Sequence, residues 1–319
     1  MSLANVLAEK RATVVIFTNQ ESEPGSWLPG LNSSDVRVEI VPAAEAATLD
    51  LTSARLQELK VQTLVVDSYE TTAEAFDRVP VPLTVILDAP PPAASPAVLI
   101  VNGSADAASV PHQLGAGAHA LLGPDYVMLR REFAALQPRT LHSEITNVLV
   151  TTGGADPTGL SLTLVEAVRD VLDSTSITVV VGPYFSENVR STLQQKASVD
   201  PSLRIVLDPR SVCELMLTAD LALTSGGQTA YELAAAGLPA CAVRVAPNQT
   251  GNLSGLQQRG AILWVGDVAD QGLGRQVRGA IAGLARDPQL RRQMSQKGQQ
   301  TVDGLGAVRV ADAVLELCA

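Results

Sequence analysis

Three observations predict an α/β protein built from two doubly wound parallel-sheet domains. The chain has 319 residues, enough for two hydrophobic cores of ordinary size. Short β-branched apolar runs alternate with segments of helical period, the signature of a parallel sheet with crossover helices. One device, a strand that runs through a glycine pair into a helix, occurs twice, at Gly153-Gly154 and at Gly226-Gly227.

Leu3, Val6 and Leu7 lie at helical spacing, so Leu3 to Lys10 reads as a helix. Thr13 to Thr18 is a continuous apolar, β-branched run and reads as a strand buried on both faces. A loop from Asn19 to Asp35 leads to a half-buried strand at Arg37 to Val41. Leu51 to Lys60 is a helix pattern, Thr63 to Val66 a strand, Ala73 to Asp77 a short helix and Leu83 to Leu87 another strand. Ala89 to Pro96 is proline-rich extended chain, because proline cannot supply ladder hydrogen bonds. Val98 to Val101 resumes as a strand. The polar stretch Gln137 to Thr146 marks the boundary between a first domain, 1–140, and a second, 141–319.

The second domain repeats the alternation. Strands are predicted at Asn147 to Thr152, Ile177 to Val181, Leu203 to Val206, Leu221 to Thr224, Cys241 to Val245 and Ala261 to Val265. Helices fall at Leu162 to Leu172, Glu187 to Ala197, Val212 to Leu217, from Gln228 or Thr229 to Gly237, after the loop Ala246 to Gln249 as far as Gly260, and twice at the C-terminus. Asp156 and Pro157 suit the N-cap and first position of a helix. Thr229-x-x-Glu232 is a capping box, and Gly237 before Pro239 is a helix stop. A strand turning through glycines into a helix leaves backbone N–H groups converging on one point, which suits a phosphate.

A net charge of -10 and an aromatic content of 3% exclude nucleic acid as a partner, since neither a basic face nor stacking platforms are available. Three scattered cysteines, Cys213, Cys241 and Cys318, give neither a disulfide framework nor metal-ligand spacing. No run approaches the length of a membrane span, and Lys10 and Arg11 interrupt the N-terminal apolar residues, so a cytoplasmic protein is predicted. No cofactor or metal is expected.

Six motifs, in order, carry a resemblance: Asp67-x-Tyr69, Tyr126-x-x-Leu129-Arg130-x-Glu132-Phe133, Gly153-Gly154-x-Asp156-Pro157, Ser225-Gly226-Gly227-x-Thr229-x-x-Glu232, Asn248-Gln249 and Asp303-Gly304-x-Gly306-Ala307-x-Arg309. Together they resemble the UDP-sugar hydrolase family of the pseudaminic acid pathway, which acts on UDP-2,4-diacetamido-2,4,6-trideoxy-β-L-altropyranose. The second half also resembles the nucleotide domain of GT-B enzymes such as the GlcNAc transferase that makes lipid II. The resemblance implies a GT-B-like fold, two Rossmann-like domains facing a cleft, and a UDP-sugar ligand. It places Gly153, Gly154, Ser225, Gly226, Gly227, Thr229 and Glu232 at the nucleotide, with Glu232 on the ribose. Asp67, Tyr69, Asn248 and Gln249 fall at the sugar, and Tyr69 and Asn248 are the catalytic candidates. In that family a first strand and a Gly-x-Gly-His loop precede the helix matching Leu3 to Lys10. The resemblance therefore implies a first domain lacking its usual first strand and a base histidine outside this sequence. An upstream start, a strand from elsewhere and a rearranged domain all stay open. His112, His119 and His142 match no catalytic position of the family, the first two reading as surface or loop residues and the third as a linker residue, and Tyr184 and Trp264 read as packing residues or local contacts. Three readings follow: a hydrolase, a glycosyltransferase with a sugar acceptor in place of water, and a nucleotide-sugar-binding protein.

Overall fold

The computed structural model describes residues 2–18, 36–40, 48–68, 71, 73–87, 96–112, 114–209 and 211–318. They form two compact units, one of Met1–Arg131 with Leu305–Ala319 and one of Glu132–Gly304. In chain order the first unit holds α1 (Ser2–Glu9), β1 (Val14–Thr18), β2 (Val36–Ile40), α2 (Asp50–Glu58), β3 (Leu64–Val66), α3 (Ala73–Phe76), β4 (Leu83–Leu87), β5 (Leu99–Asn102) and β6 (His119–Leu122). The second holds β7 (Asn147–Thr151), α4 (Leu160–Arg169), β8 (Ser176–Val181), α5 (Glu187–Val199), β9 (Leu203–Leu207), α6 (Val212–Thr218), β10 (Leu221–Ser225), α7 (Thr229–Ala235), β11 (Ala240–Arg244), α8 (Thr250–Gln258), β12 (Leu263–Asp267), α9 (Leu273–Arg286) and α10 (Pro288–Thr301). The last helix, α11 (Gly306–Glu316), returns to the first unit.

The first unit's parallel strands form two separate ladders, β1-β2 and β3-β4-β5-β6. In a doubly wound sheet of order 3-2-1-4-5 the break between β1 and β3 falls at the place of the first strand. One helical layer spans the break: Val14 of β1 and Val65 of β3 both pack on a cluster containing Leu3 and Leu7 of α1 and Val310 and Val314 of α11. β1 corrects the expectation of a strand buried on both faces. All five of its residues are half-buried, and among the described residues it pairs only with β2. β6, a short strand beginning at a histidine, went unread in the sequence. The loop at 19–35 and most of the proline-rich stretch at 89–96 lie outside the described residues.

The second unit has one six-stranded parallel sheet of order β12-β11-β10-β7-β8-β9. Val148, Leu149 and Val150 of β7, and Leu221, Ala222 and Leu223 of β10, are all fully buried, as strands covered by helices on both faces must be. The order reverses between β7 and β10, so the C-terminal ends of these two strands flank the crevice where such sheets bind ligands.

Two arginines tie the entry segment to this unit. Arg139 donates to the carbonyls of Met216 (2.8 Å), Leu217 (3.2 Å), Ala219 and Ala236 (3.3 Å). Fully buried Arg291 donates to Leu284, to Ala285 (3.3 Å), to His142 (3.2 Å) and to Ser143 (2.6 Å). The expected boundary near residue 140 placed the C-terminal helices together in the second domain. In the structure α9 and α10 stay there, while α11 covers the sheet of the first unit through Val310, Ala311 and Val314.

The packing also accounts for a motif. Gly304 lies against the carbonyl of Phe133, and Ala135 N–H donates to Asp303 O at 2.9 Å. In the other unit Gly306 lies against the carbonyl of Val127, and Arg309 donates to Asp125 O at 2.9 Å. In each unit glycine is what lets the two backbones approach so closely.

Candidate functional site

β7 and β10 are in register from Leu221↔Val148 to Thr224↔Thr151, so the turns that follow them leave the sheet side by side. The Ser225 hydroxyl donates to Thr152 O at 3.0 Å and locks the two strand ends together. Gly153 has φ of 94°, a left-handed conformation that favours glycine. A Cβ on Gly153 would stand 3.9 Å from Thr229 Oγ1, so the first glycine turn faces the head of α7. Gly154 O accepts from Tyr184 N–H at 3.0 Å. The two turns predicted at the nucleotide are therefore brought together.

They are not equivalent. At the first turn Asp156 is the capping residue but not the N-cap. Gly159 holds that position with φ of 68°, and the Asp156 carboxylate reaches forward to Leu160 N–H (2.8 Å) and Ser161 N–H (2.9 Å). The amides that open α4 are thus already taken by an internal anion.

At the second turn the capping-box reading is corrected. Gln228 stands at the N-cap with helical φ of -57° and no side-chain cap bond, so Thr229 is the first helical residue. Ala230 N–H is bonded to Gly227 O (3.0 Å), and Tyr231 and Glu232 N–H to Gln228 O (3.0 and 3.3 Å). The N–H groups of Gly227 and Thr229 have no partner among the described residues. Both suit an acceptor oxygen from a ligand. Glu232 is 8% exposed on the first turn of α7.

Gly226 is held on three sides. Its N–H donates to Gln249 Oε1 at 3.2 Å and its carbonyl accepts from Asn252 Nδ2 at 3.4 Å. A Cβ there would meet Leu253 Cδ1 at 2.6 Å. Asn252 is itself oriented by Tyr231, whose hydroxyl donates to Asn252 Oδ1 at 2.6 Å. The Gly226 N–H is thus part of the turn's bracing, and the amides of this turn without a partner among the described residues are those of Gly227 and Thr229.

Asn248 and Gln249 sit on a 3-10 turn, Pro247–Gln249, between β11 and α8. Asn248 is exposed and makes no side-chain hydrogen bond among the described residues. Trp264 behaves as a packing residue: its ring lies 5.8 Å from the Arg244 guanidinium carbon, and its Nε1 donates to Gly266 O at 3.0 Å. Tyr184 makes a local contact: it is 66% exposed, with its ring 3.7 Å from where a Cβ on Gly154 would stand. In the first unit Asp67 lies just past β3 and is exposed, while Tyr69 falls outside the described residues. His112, in the loop after β5, is half-buried and bonded to Val110 O (2.8 Å) and to the Asn102 amide (3.3 Å). Among the described residues no group of three or more His, Cys, Asp or Glu side chains is placed to hold a metal ion, and no helix is long and apolar enough to cross a membrane.

No protein-family model matches the chain. The spore coat polysaccharide biosynthesis protein SpsG of Bacillus subtilis is 29% identical over 206 residues, covering 61% of this chain. The alignment takes in 58% of that relative's own length. Among solved structures, MurG of Acinetobacter baumannii superimposes with a TM-score of 0.68 at 15% identity, over 99% of this chain and 94% of that one. Anabaena HepE, solved with UDP and glucose, gives a TM-score of 0.61 at 15% identity, over 99% and 95%. At such identities the likeness is one of fold. The chain folds as two Rossmann-like parallel-sheet units of the GT-B type.

Proposed function

We propose that this protein is a UDP-sugar-utilising enzyme that cleaves the bond between the anomeric carbon and the diphosphate. The observation that carries the reading is the meeting of two glycine turns at the switch point of the second sheet, with the Gly227 and Thr229 amides there unpartnered among the described residues. In this reading those amides and the backbone at Gly153 and Gly154 hold the diphosphate. Ser225 fixes the spacing of the two turns, and Glu232 accepts hydrogen bonds from the ribose hydroxyls, as a carboxylate does well. Asn248, exposed and without a side-chain hydrogen bond among the described residues, is assigned to the hexose.

In chemical terms an oxygen nucleophile attacks the anomeric carbon, and the C–O bond to phosphate breaks. The diphosphate departs with the electron pair, and the nucleophile loses its proton. Backbone donors aimed at the diphosphate stabilise the charge that grows on the leaving group, and being fixed in the fold they need no reorganisation.

The motif resemblance supports water as the nucleophile and hence a hydrolase. The relative named for polysaccharide biosynthesis and the fold shared with MurG and HepE support a second reading, a glycosyltransferase with a sugar hydroxyl as acceptor. One assay separates them. UDP release from UDP-N-acetylhexosamines is measured with and without acceptor sugars, beside calorimetric binding of UDP. Release without acceptor supports the hydrolase, and release only with acceptor supports the transferase. UDP binding without turnover in either leaves a binding protein, and absence of UDP binding overturns the site.

A further inference from the structure

Gln249 was expected to face the hexose, but the hydrogen bonds of its side chain point elsewhere. Its Oε1 accepts from two backbone donors, Gly226 N–H at 3.2 Å and Val245 N–H at 2.9 Å. Two donors converging on one atom fix the amide's orientation, since the NH2 end could accept neither. The Nε2 end is therefore turned the other way. It would lie 3.8 Å from a Cβ on Gly227, and it has no partner among the described residues.

The segment that carries this side chain is itself braced. Gln249 N–H donates to Ala246 O at 3.1 Å, and the Thr250 hydroxyl closes the same turn on Pro247 O at 2.8 Å. Arg244 donates to Thr250 Oγ1 at 2.9 Å while its other nitrogens hold the Asp267 carboxylate, with the Nε bond at 2.9 Å. Thus the ends of β11 and β12 hold the turn, the turn holds Gln249, and Gln249 holds Gly226.

We propose that Gln249 is a positioning residue for the diphosphate. Its carbonyl end latches the glycine turn so that the Gly227 and Thr229 amides face outward, and its Nε2 joins them as a further donor to the same phosphate oxygens. The proposal rests on the diphosphate reading of this site. It differs from a hexose contact in a measurable way, because a latch acts on UDP whether or not a sugar is attached.

The test is calorimetric binding of UDP and of UDP-N-acetylglucosamine to the full chain, its Gln249→Ala variant and its Gln249→Glu variant, with amide hydrogen exchange at Gly226 and Val245 on each. Gln249→Ala should lose about tenfold in affinity for both ligands alike, and exchange at both amides should accelerate. Gln249→Glu keeps an acceptor for the two amides, so their protection should persist, yet it replaces the donor by a negative charge and should weaken UDP by more than the alanine does. Loss of affinity for UDP-N-acetylglucosamine alone, with UDP unchanged, would overturn the proposal in favour of a sugar contact. Unchanged exchange at Gly226 in Gln249→Ala would overturn the latch. Should the parent protein bind no UDP, the diphosphate reading fails, while the exchange arm still decides whether the latch exists.

Discussion

Replacing Gly226 by alanine tests why the second turn needs glycine. Gly226 has no left-handed φ, so backbone conformation is not the reason. Space is: the new methyl carbon would stand 2.6 Å from Leu253 Cδ1 and 2.7 Å from Leu253 Cγ, and ordinary contact requires a retreat of about 1 Å. Leu253 is fully buried, and forcing it off its rotamer costs about 0.5–1.5 kcal/mol. The backbone cannot recede either without stretching the bonds to Gln249 and Asn252. With an overpacking cost of about 1–3 kcal/mol, Gly226→Ala should lose roughly 2–3 kcal/mol in urea denaturation. Thermal melting should fall by roughly 5–10 °C for a unit of this size. UDP affinity should fall with it, because the displaced turn carries the Gly227 amide. Leu253→Ala alone should cost about 2–5 kcal/mol, but made together with Gly226→Ala it should cost at least about 1 kcal/mol less, a coupling expected of residues in contact. A Gly226→Ala protein within about 0.5 kcal/mol of the parent, or an additive double-mutant cycle, would refute the contact as the selector of glycine.

Further outcomes follow from the same geometry. Glu232→Ala should abolish any preference for UDP over 2′-deoxy-UDP, a preference of about tenfold in the parent if a charged hydrogen bond is involved; competition binding of the two nucleotides measures it. Asp156→Ala removes the two bonds to Leu160 and Ser161 N–H and should cost about 1–2 kcal/mol in urea denaturation while leaving UDP affinity within about twofold, since these amides serve α4 alone. Burial holds the Arg291 guanidinium below its ordinary range, yet the group is retained because four carbonyls depend on it. Arg291→Met should therefore cost about 3 kcal/mol or more, and Arg291→Lys, lacking the planar fork, should not restore it. The Asp200 carboxyl is held below its usual range by the Ser202 hydroxyl and N–H, with Arg169 adding to this. A depressed folded value means stability that is present above about pH 4 and is lost as pH falls through the folded value. Asp200→Asn should lower stability at pH 7 and flatten the acid limb, read from urea midpoints at pH 7 and pH 3.

What the sequence disclosed and what it concealed divide along a physical line. Strands such as Asn147–Thr151 and Leu221–Ser225 were legible because burial on both faces demands unbroken apolar runs, and the two glycine turns because glycine marks a backbone that must come close. β1 defeated that logic. Val-Val-Ile-Phe-Thr is a buried strand by composition, but its burial depends on a neighbour in the sheet, and among the described residues it has one on a single edge. Two helices are predicted after the last strand and three form among the described residues; the last, α11, lies in the first unit, since an amphipathic face records that it is covered and not by which sheet. The site shows the same division most sharply. Asp156 reads as a cap because it acts on amides four and five residues ahead, within the range where local pattern governs. Gln249 acts on an amide at Gly226, and nothing around either residue announces the pairing. In sequence the two Gly-Gly turns look like one device used twice. They part when each N–H is followed to its acceptor: the first turn's helix opens on amides held locally by Asp156, whereas the second is braced from a distance by Gln249 and keeps the Gly227 and Thr229 amides without a partner among the described residues.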